Sequence, residues 1–239
     1  MFMDIEASDS ASYCASLVKA DDEDRWLAAQ YAPQEARRRL LALYALMVEV
    51  RRVRGAVSEP GLGEIRLRWW RDALEELTSG QVARAHPVVE ELALLGETFT
   101  ASIDSLDAAI DKHAHLLYGA DFGSVDAFAE WIRAASGAFD ACAARLLGAD
   151  DTLAQVAAHA GTAFAMAREG MIIAPTLTNA LPDKVHLLLS ETPKELSTAP
   201  PQVAPAILHL ALTRRYVRQG VKPFPMMKRL IMVRAMLMV

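Results

Sequence analysis

Residues 24–74 read DRWLAAQYAPQEARRRLLALYALMVEVRRVRGAVSEPGLGEIRLRWWRDAL. Between Gln34 and Arg54, the residues Leu40, Leu43, Tyr44, Met47 and Val50 recur at intervals of three and four, the repeat of one face of an α-helix. Pro33 suits the first helical position, where its missing N–H costs nothing, and Gly55 supplies the stop. SEPGLG, 58–63, reads as a turn, after which a helix from about Glu64 carries Ile65, Leu67, Trp69, Trp70 and Leu74 to Ser79 and Gly80. One feature does not fit a simple buried helix: Arg51, Arg52 and Arg54 crowd the last turn of a segment whose earlier turns are apolar.

The same helical reading extends outward. A first helix is expected over about Ser8 to Ala20, and DDEDR, 21–25, starts another carrying Trp26 and Leu27. Further helices are expected over His86–Leu95, Thr98–Leu117, Val125–Leu147, Thr152–Ile173 and Ala206–Gly220. β-branched runs are short and no alternating pattern persists, so the fold class is all-α. The chain has 239 residues, 53% of them hydrophobic, enough to bury a substantial core, and 1–239 is read as a single domain with a Met-rich tail over 221–239.

Composition narrows the function classes. A formal charge of −5 argues against a general nucleic-acid binder. Cys14 and Cys142 form neither a disulfide framework nor a CxxC pair. No apolar run reaches the length of a membrane span, and the start MFMDIEASDSAS lacks the basic residues of a leader, so a cytoplasmic location is expected. No GxSxG, HExxH, P-loop or GxGxxG is present.

The chemistry-bearing clusters each have a bland reading beside the functional one. Asp107 and Asp111 are four apart and share a helix face, as a Mg²⁺ site would need, yet with Asp104 they are also spaced like a solvated face. His113 and His115 point to nearly opposite sides of a helix, so only Asp111 with His115 could converge. DDEDR reads as an N-terminal cap whose carboxylates favour the positive end of the helix dipole. In IRLRWWRDALEEL, 65–77, Leu67, Trp70 and Leu74 form a packing face, with Trp70 either a buried anchor or a cavity contact.

The 24–74 segment, followed by HPVVEEL at 86–92, resembles the N-terminal half of the squalene/phytoene synthase family. Weaker echoes follow in DAFAEWIRAASGAFDACAARLLG (126–148) and AGTAFAMAREG (160–170) ahead of Leu181-Pro182. The resemblance implies an all-α, isoprenoid synthase-type helical bundle around a central cavity. Active members of that family join two prenyl diphosphates using Mg²⁺ held by two Asp-rich motifs on facing helices. Aligned on LYAL, the first motif falls on Arg51, Arg52 and Gly55, and the second on FAMAREGMIIAPTLTN, which contains no aspartate. Guanidinium groups carry only donors and cannot ligate a metal.

The resemblance thus marks Arg51, Arg52, Arg54, Arg66 and Trp70 as anion-binding or cavity-lining candidates, with no catalytic or metal-binding residue among them. Three readings of the arginines stand open: they hold an anionic ligand without metal, they pair with carboxylates such as Glu49, Glu59 or Glu64 and close a dead cavity, or they face water and complement the helix dipole. MVEVRRVRGAVSEP also resembles the branch of the family that includes a respiratory complex I assembly factor. The expected function is therefore a catalytically degenerate member acting as a binding or assembly factor, its partner a protein or a prenyl- or lipid-like ligand. The alternative is an active prenyl-diphosphate transferase with an atypical site, in which Mg²⁺ would be needed. PMMKRLIMVRAMLMV, 225–239, places Met226, Leu230, Val233 and Met236 or Leu237 at helical spacing, to close the core or to touch a partner or a membrane, peripheral to the inner membrane.

Overall fold

The computed structural model describes residues 9–237 apart from 80, 82, 83, 120, 194, 195, 197 and 222–224. The described elements are helical throughout: α1 (Asp9–Asp21), α2 (Glu23–Ala29), α3 (Gln34–Arg52), α4 (Pro60–Thr78), α5 (Pro87–Leu92), α6 (Glu97–Thr100) and α7 (Ile103–Lys112), then α8 (Val125–Ile132), α9 (Ala138–Leu146), α10 (Asp151–Ile173), α11 (Leu181–Glu191), α12 (Ala204–Ile207), α13 (Thr213–Gln219) and α14 (Pro225–Met236).

The central helix is α3. Every residue from Leu40 to Val48 is buried, so this stretch is packed on all sides rather than along one stripe. The three-and-four spacing therefore found the helix but understated its burial. α1, α5 and α9 pack against it, and α10, the longest helix, lies beside α9 and α11. Pro33 caps α3 instead of occupying its first turn, and Gly55 closes a short 3₁₀ turn, Val53–Gly55.

The expected turn over SEPGLG is instead the start of a helix. Pro60 occupies the first turn of α4, whose N-cap is Glu59, so Gly61 and Gly63 are helical. Gly63 is needed for closeness: a Cβ there would stand 2.6 Å from Cδ2 of Leu117. The expected Thr98–Leu117 helix is divided into α6, α7 and a 3₁₀ turn, His113–Tyr118. A π turn, Arg133–Gly137, joins α8 to α9 and presents Ser136 toward the cavity described below. Leu181-Pro182 opens α11.

The tail forms α14. It is fastened by Met232, fully buried, and by Lys228, whose Nζ lies 2.7 Å from Glu23 and 2.8 Å from Asp24. Burial favours the neutral amine, but Asp24 and Glu23 outweigh it and raise the Lys228 pKa. The expected apolar stripe does not close the core: Met226, Leu230, Val233 and Leu237 are exposed, while Met232 packs inward.

Candidate functional site

The end of α3 separates two depressions. The larger, about 420 Å³, is walled by Val48, Arg51, Arg52, Arg54 and Gly55 on one side and by Glu169, Ile172 and Ile173 of α10 on the other. Leu116 and Trp131 add apolar surface, His113 and Ser136 two buried polar groups, and Asp21 a carboxylate. The smaller, about 280 Å³, is bounded by Glu49, Arg52, Arg66, Trp69, Trp70 and His86. The five candidate residues are thus divided: Arg51 and Arg54 line the first, Arg66 and Trp70 the second, and Arg52 is the wall between them. Trp70 is buried and packs edge-on against Trp69 at 4.8 Å and His86 at 4.9 Å, while Arg66 donates to the Ala56 carbonyl at 3.1 Å.

The arginines are mostly consumed internally. Arg51 reaches across the larger cavity to Glu169 at 2.6 Å and also contacts Asp22 at 3.3 Å. Arg52 forms a two-point pair with Asp21, its Nε 2.9 Å from Oδ1. Arg54 is exposed at the rim and has no ion-pair partner among the described residues. Pairing therefore holds for Arg51 and Arg52, but with acids of α1, α10 and the α1–α2 junction. Glu49 instead accepts from Tyr13 at 2.9 Å and Glu64 from Tyr118 at 2.8 Å.

Behind Arg51 lies a buried charge cluster that the sequence reading missed. Asp22 caps α2, accepting from the Arg25 backbone N–H at 3.4 Å, as DDEDR suggested. It is also fully buried and meets Arg25 at 3.0 Å, Arg51 and Arg168. The Arg25 guanidinium, itself buried, donates to both oxygens of Asp140 at 2.9 and 3.1 Å and lies over the Phe164 ring at 5.2 Å. His209 Nε2 stands 3.3 Å from Asp140, and Tyr216 donates to Asp24 at 2.6 Å. Burial alone would raise the Asp22 pKa, but Arg168, Arg25 and Arg51 overcome it and hold the carboxyl well below its usual range. Asp140 behaves alike: burial raises its pKa, and Arg25 with His209 brings it down.

His113 is a buried titratable group on the larger cavity, its ring hydrogen-bonded to the backbone of Ala135. Its Nε2 is buried without a hydrogen-bond partner among the described residues, and burial, with Arg51 nearby, pushes its pKa down from 6.5 to about 4. The folded protein therefore keeps His113 neutral in a window where the unfolded chain binds a proton. Stability from this group is complete above about pH 6.5 and is lost as pH falls toward 4. Lowering the pH from 7 to 4.5 is expected to cost about 2–3 kcal/mol through His113, measured by denaturant unfolding. A His113→Gln variant should show a shallower dependence over that range; an unchanged slope would contradict the assignment.

Asp107 and Asp111 face elsewhere. Both accept from Arg71, at 2.7 and 2.6 Å, and neither lines the larger cavity. Asp111 and His115 border one shallow depression, where His115 packs against Phe122 at 5.1 Å. The carboxylates on the larger cavity, Asp21 and Glu169, are each already bound by an arginine. That donor set does not fit Mg²⁺, which needs carboxylate oxygens free to share with water and phosphate.

Residues 18–168 match the family model for squalene/phytoene synthase, more than half of the chain. The chain belongs to the squalene/phytoene synthase family. A dehydrosqualene synthase crystal structure superposes with a TM-score of 0.72 at 14% identity, covering 96% of both chains. Squalene synthase HpnC from Alicyclobacillus acidocaldarius gives 0.68 at 14% identity, covering 90% of this chain and 95% of its own. The fold is thus the all-α isoprenoid synthase type. Among curated proteins, complex I assembly factor 6 from Rattus norvegicus is 36% identical over 69 residues, 29% of this chain and 21% of its own length. Its Drosophila melanogaster homolog is 36% identical over 87 residues, 34% of this chain and 26% of its own. The matches therefore span 21% and 26% of those relatives' own length.

In this squalene/phytoene synthase family member, Arg51, Arg52 and Gly55, the positions that the family resemblance equates with the first Asp motif, all stand on the cavity wall. Glu169, Ile172 and Ile173, from the segment equated with the second, face them. Asp140 carried one legible signal of the buried cluster: a lone carboxylate inside the apolar run AFDACAARLL must find a cation. Arg168 follows an apolar stretch in the same way.

Proposed function

We propose that this protein is a catalytically silent member of the squalene/phytoene synthase family that acts as a binding or assembly factor for a membrane respiratory complex. One observation carries the reading: a 2.6 Å Arg51–Glu169 ion pair spans the cavity between the two helices that would face each other across a metal cluster. Departure of diphosphate develops negative charge that bound metal ions would have to neutralise, and at the positions of the first metal motif stand Arg51 and Arg52, already committed to carboxylates. The identity with complex I assembly factor 6, confined to part of each chain, supports the choice of an assembly role over other non-catalytic roles.

Incubation with farnesyl and geranylgeranyl diphosphate in the presence of Mg²⁺ is expected to release no diphosphate above a boiled control; turnover would overturn the catalytic part of the reading. The assembly part is tested in cells by deleting the gene and measuring assembled NADH dehydrogenase. Loss of the complex, restored by the wild-type chain, is expected. Full assembly without the protein would overturn it.

A further inference from the structure

The outer side of α14 is apolar, and among the described residues nothing covers it. On a helix of 3.6 residues per turn, Met226, Leu230, Val233 and Leu237 fall within about 60° of arc. All four are exposed, by 80%, 61%, 43% and 82%, and the Leu237 N–H to Val233 carbonyl bond at 3.0 Å carries the helical geometry through the last of them. Arg229 and Arg234, both exposed, flank this stripe on its two sides. The opposite face is fastened by Met232 and Lys228, so the stripe is held outward.

Charge along the sequence points to the occupant. Residues 196–239 contain seven Lys or Arg and no Asp or Glu, in a chain whose formal charge is −5, which leaves −12 for residues 1–195. Of these seven, Arg229 and Arg234 flank the apolar stripe, while Lys228 is paired with Glu23 and Asp24 on the opposite face. No helix among the described residues is long and apolar enough to cross a membrane, so the geometry is that of a helix lying on a surface.

We propose that α14 docks on an anionic phospholipid bilayer, seating Met226, Leu230, Val233 and Leu237 among the acyl chains near the headgroups while Arg229 and Arg234 bind lipid phosphate. Long basic side chains at the edges of such a stripe can keep their charge at the headgroups while their stems stay apolar. An acidic protein partner would complement the arginines but leaves the contiguous apolar stripe unexplained. The inference concerns the surface of α14 and stands whether or not the cavity is catalytically silent.

The full-length chain is sedimented with vesicles of phosphatidylcholine alone and of phosphatidylcholine with an equal part of phosphatidylglycerol. Binding to the anionic vesicles should exceed binding to the neutral ones by about tenfold and weaken with added salt. Leu230→Glu with Val233→Glu, at positions that touch solvent and so leave folding intact by circular dichroism, should reduce the partition at least tenfold. Arg229→Gln with Arg234→Gln should remove most of the preference for anionic lipid. Equal partition on the two vesicle types, or undiminished binding by the Glu variant, would overturn the proposal. So would a wild-type dimer in sedimentation velocity that the Glu variant converts to monomer without any vesicle binding, since a second copy would then be what covers the stripe.

Discussion

Asp22→Ala is expected to destabilise the protein by about 3–5 kcal/mol, the largest effect of any single carboxylate substitution in the chain. Asp22 is fully buried and faces Arg25, Arg51 and Arg168 together. Its removal leaves Arg25, 1% exposed, with Asp140 alone, and leaves Arg168 leaning on Asp24 at 3.7 Å. An uncompensated buried cation is costly because neither water nor a counter-charge replaces the lost partner. For a chain of this size the melting temperature should fall by roughly 10 °C, read by circular dichroism. Adding Arg168→Met to Asp22→Ala should recover part of the loss, because the second change removes one of the orphaned cations. A melting temperature within a degree or two of wild type would mean that the arginines find other partners.

Gly161→Ala should be nearly as damaging, against the ordinary direction for that exchange. In an exposed helix interior, Gly→Ala stabilises by up to about 1 kcal/mol. Here the new Cβ would stand 2.1 Å from Oδ2 of Asp140 and 2.7 Å from its Cγ. Asp140 cannot yield freely, since both of its oxygens are bound by Arg25 in a buried site. Either α9 and α10 separate or the Arg25–Asp140 pair breaks, and a loss of about 3 kcal/mol or more is expected. Gly61 is the internal control: it is helical, with open space around its Cβ position, so Gly61→Ala should be neutral or stabilising by about 0.5 kcal/mol. Denaturant unfolding of both variants checks the pair. Equal effects at the two glycines would remove the close approach of Gly161 to Asp140 as an explanation.

Much of the fold was legible because helical periodicity is local. The span of α3, the stop near Gly55 and the beginning of α10 all follow from residues within a few positions of one another. What resisted reading was non-local. Nothing near Arg51 in sequence identifies Glu169 as its partner, and the nearby Glu49, Glu59 and Glu64 were reasonable but wrong choices. DDEDR was legible as a cap, which it is, yet its burial depends on α3, α9 and α10 closing over it. Pro60 was misread because a proline followed by Gly61 and Gly63 signals a turn as readily as a helix start, and the packing of Leu117 on Gly63 favours the helix. The split of the candidate arginines between two depressions was likewise invisible, because Arg52 sits on the ridge dividing them.

The buried cluster joins residues far apart in the sequence. Arg25 binds Asp140, 115 positions away, and Asp22 binds Arg168 at a separation of 146. Asp24 is met by Tyr216, 192 positions on, and Glu23 by Lys228, 205 on. A ribosome extruding this chain releases the acids of α2 long before the cations and hydroxyl that satisfy them. Until those arrive, the acids of this segment have to stay hydrated, so completion of the bundle waits until residues 168, 216 and 228 have emerged.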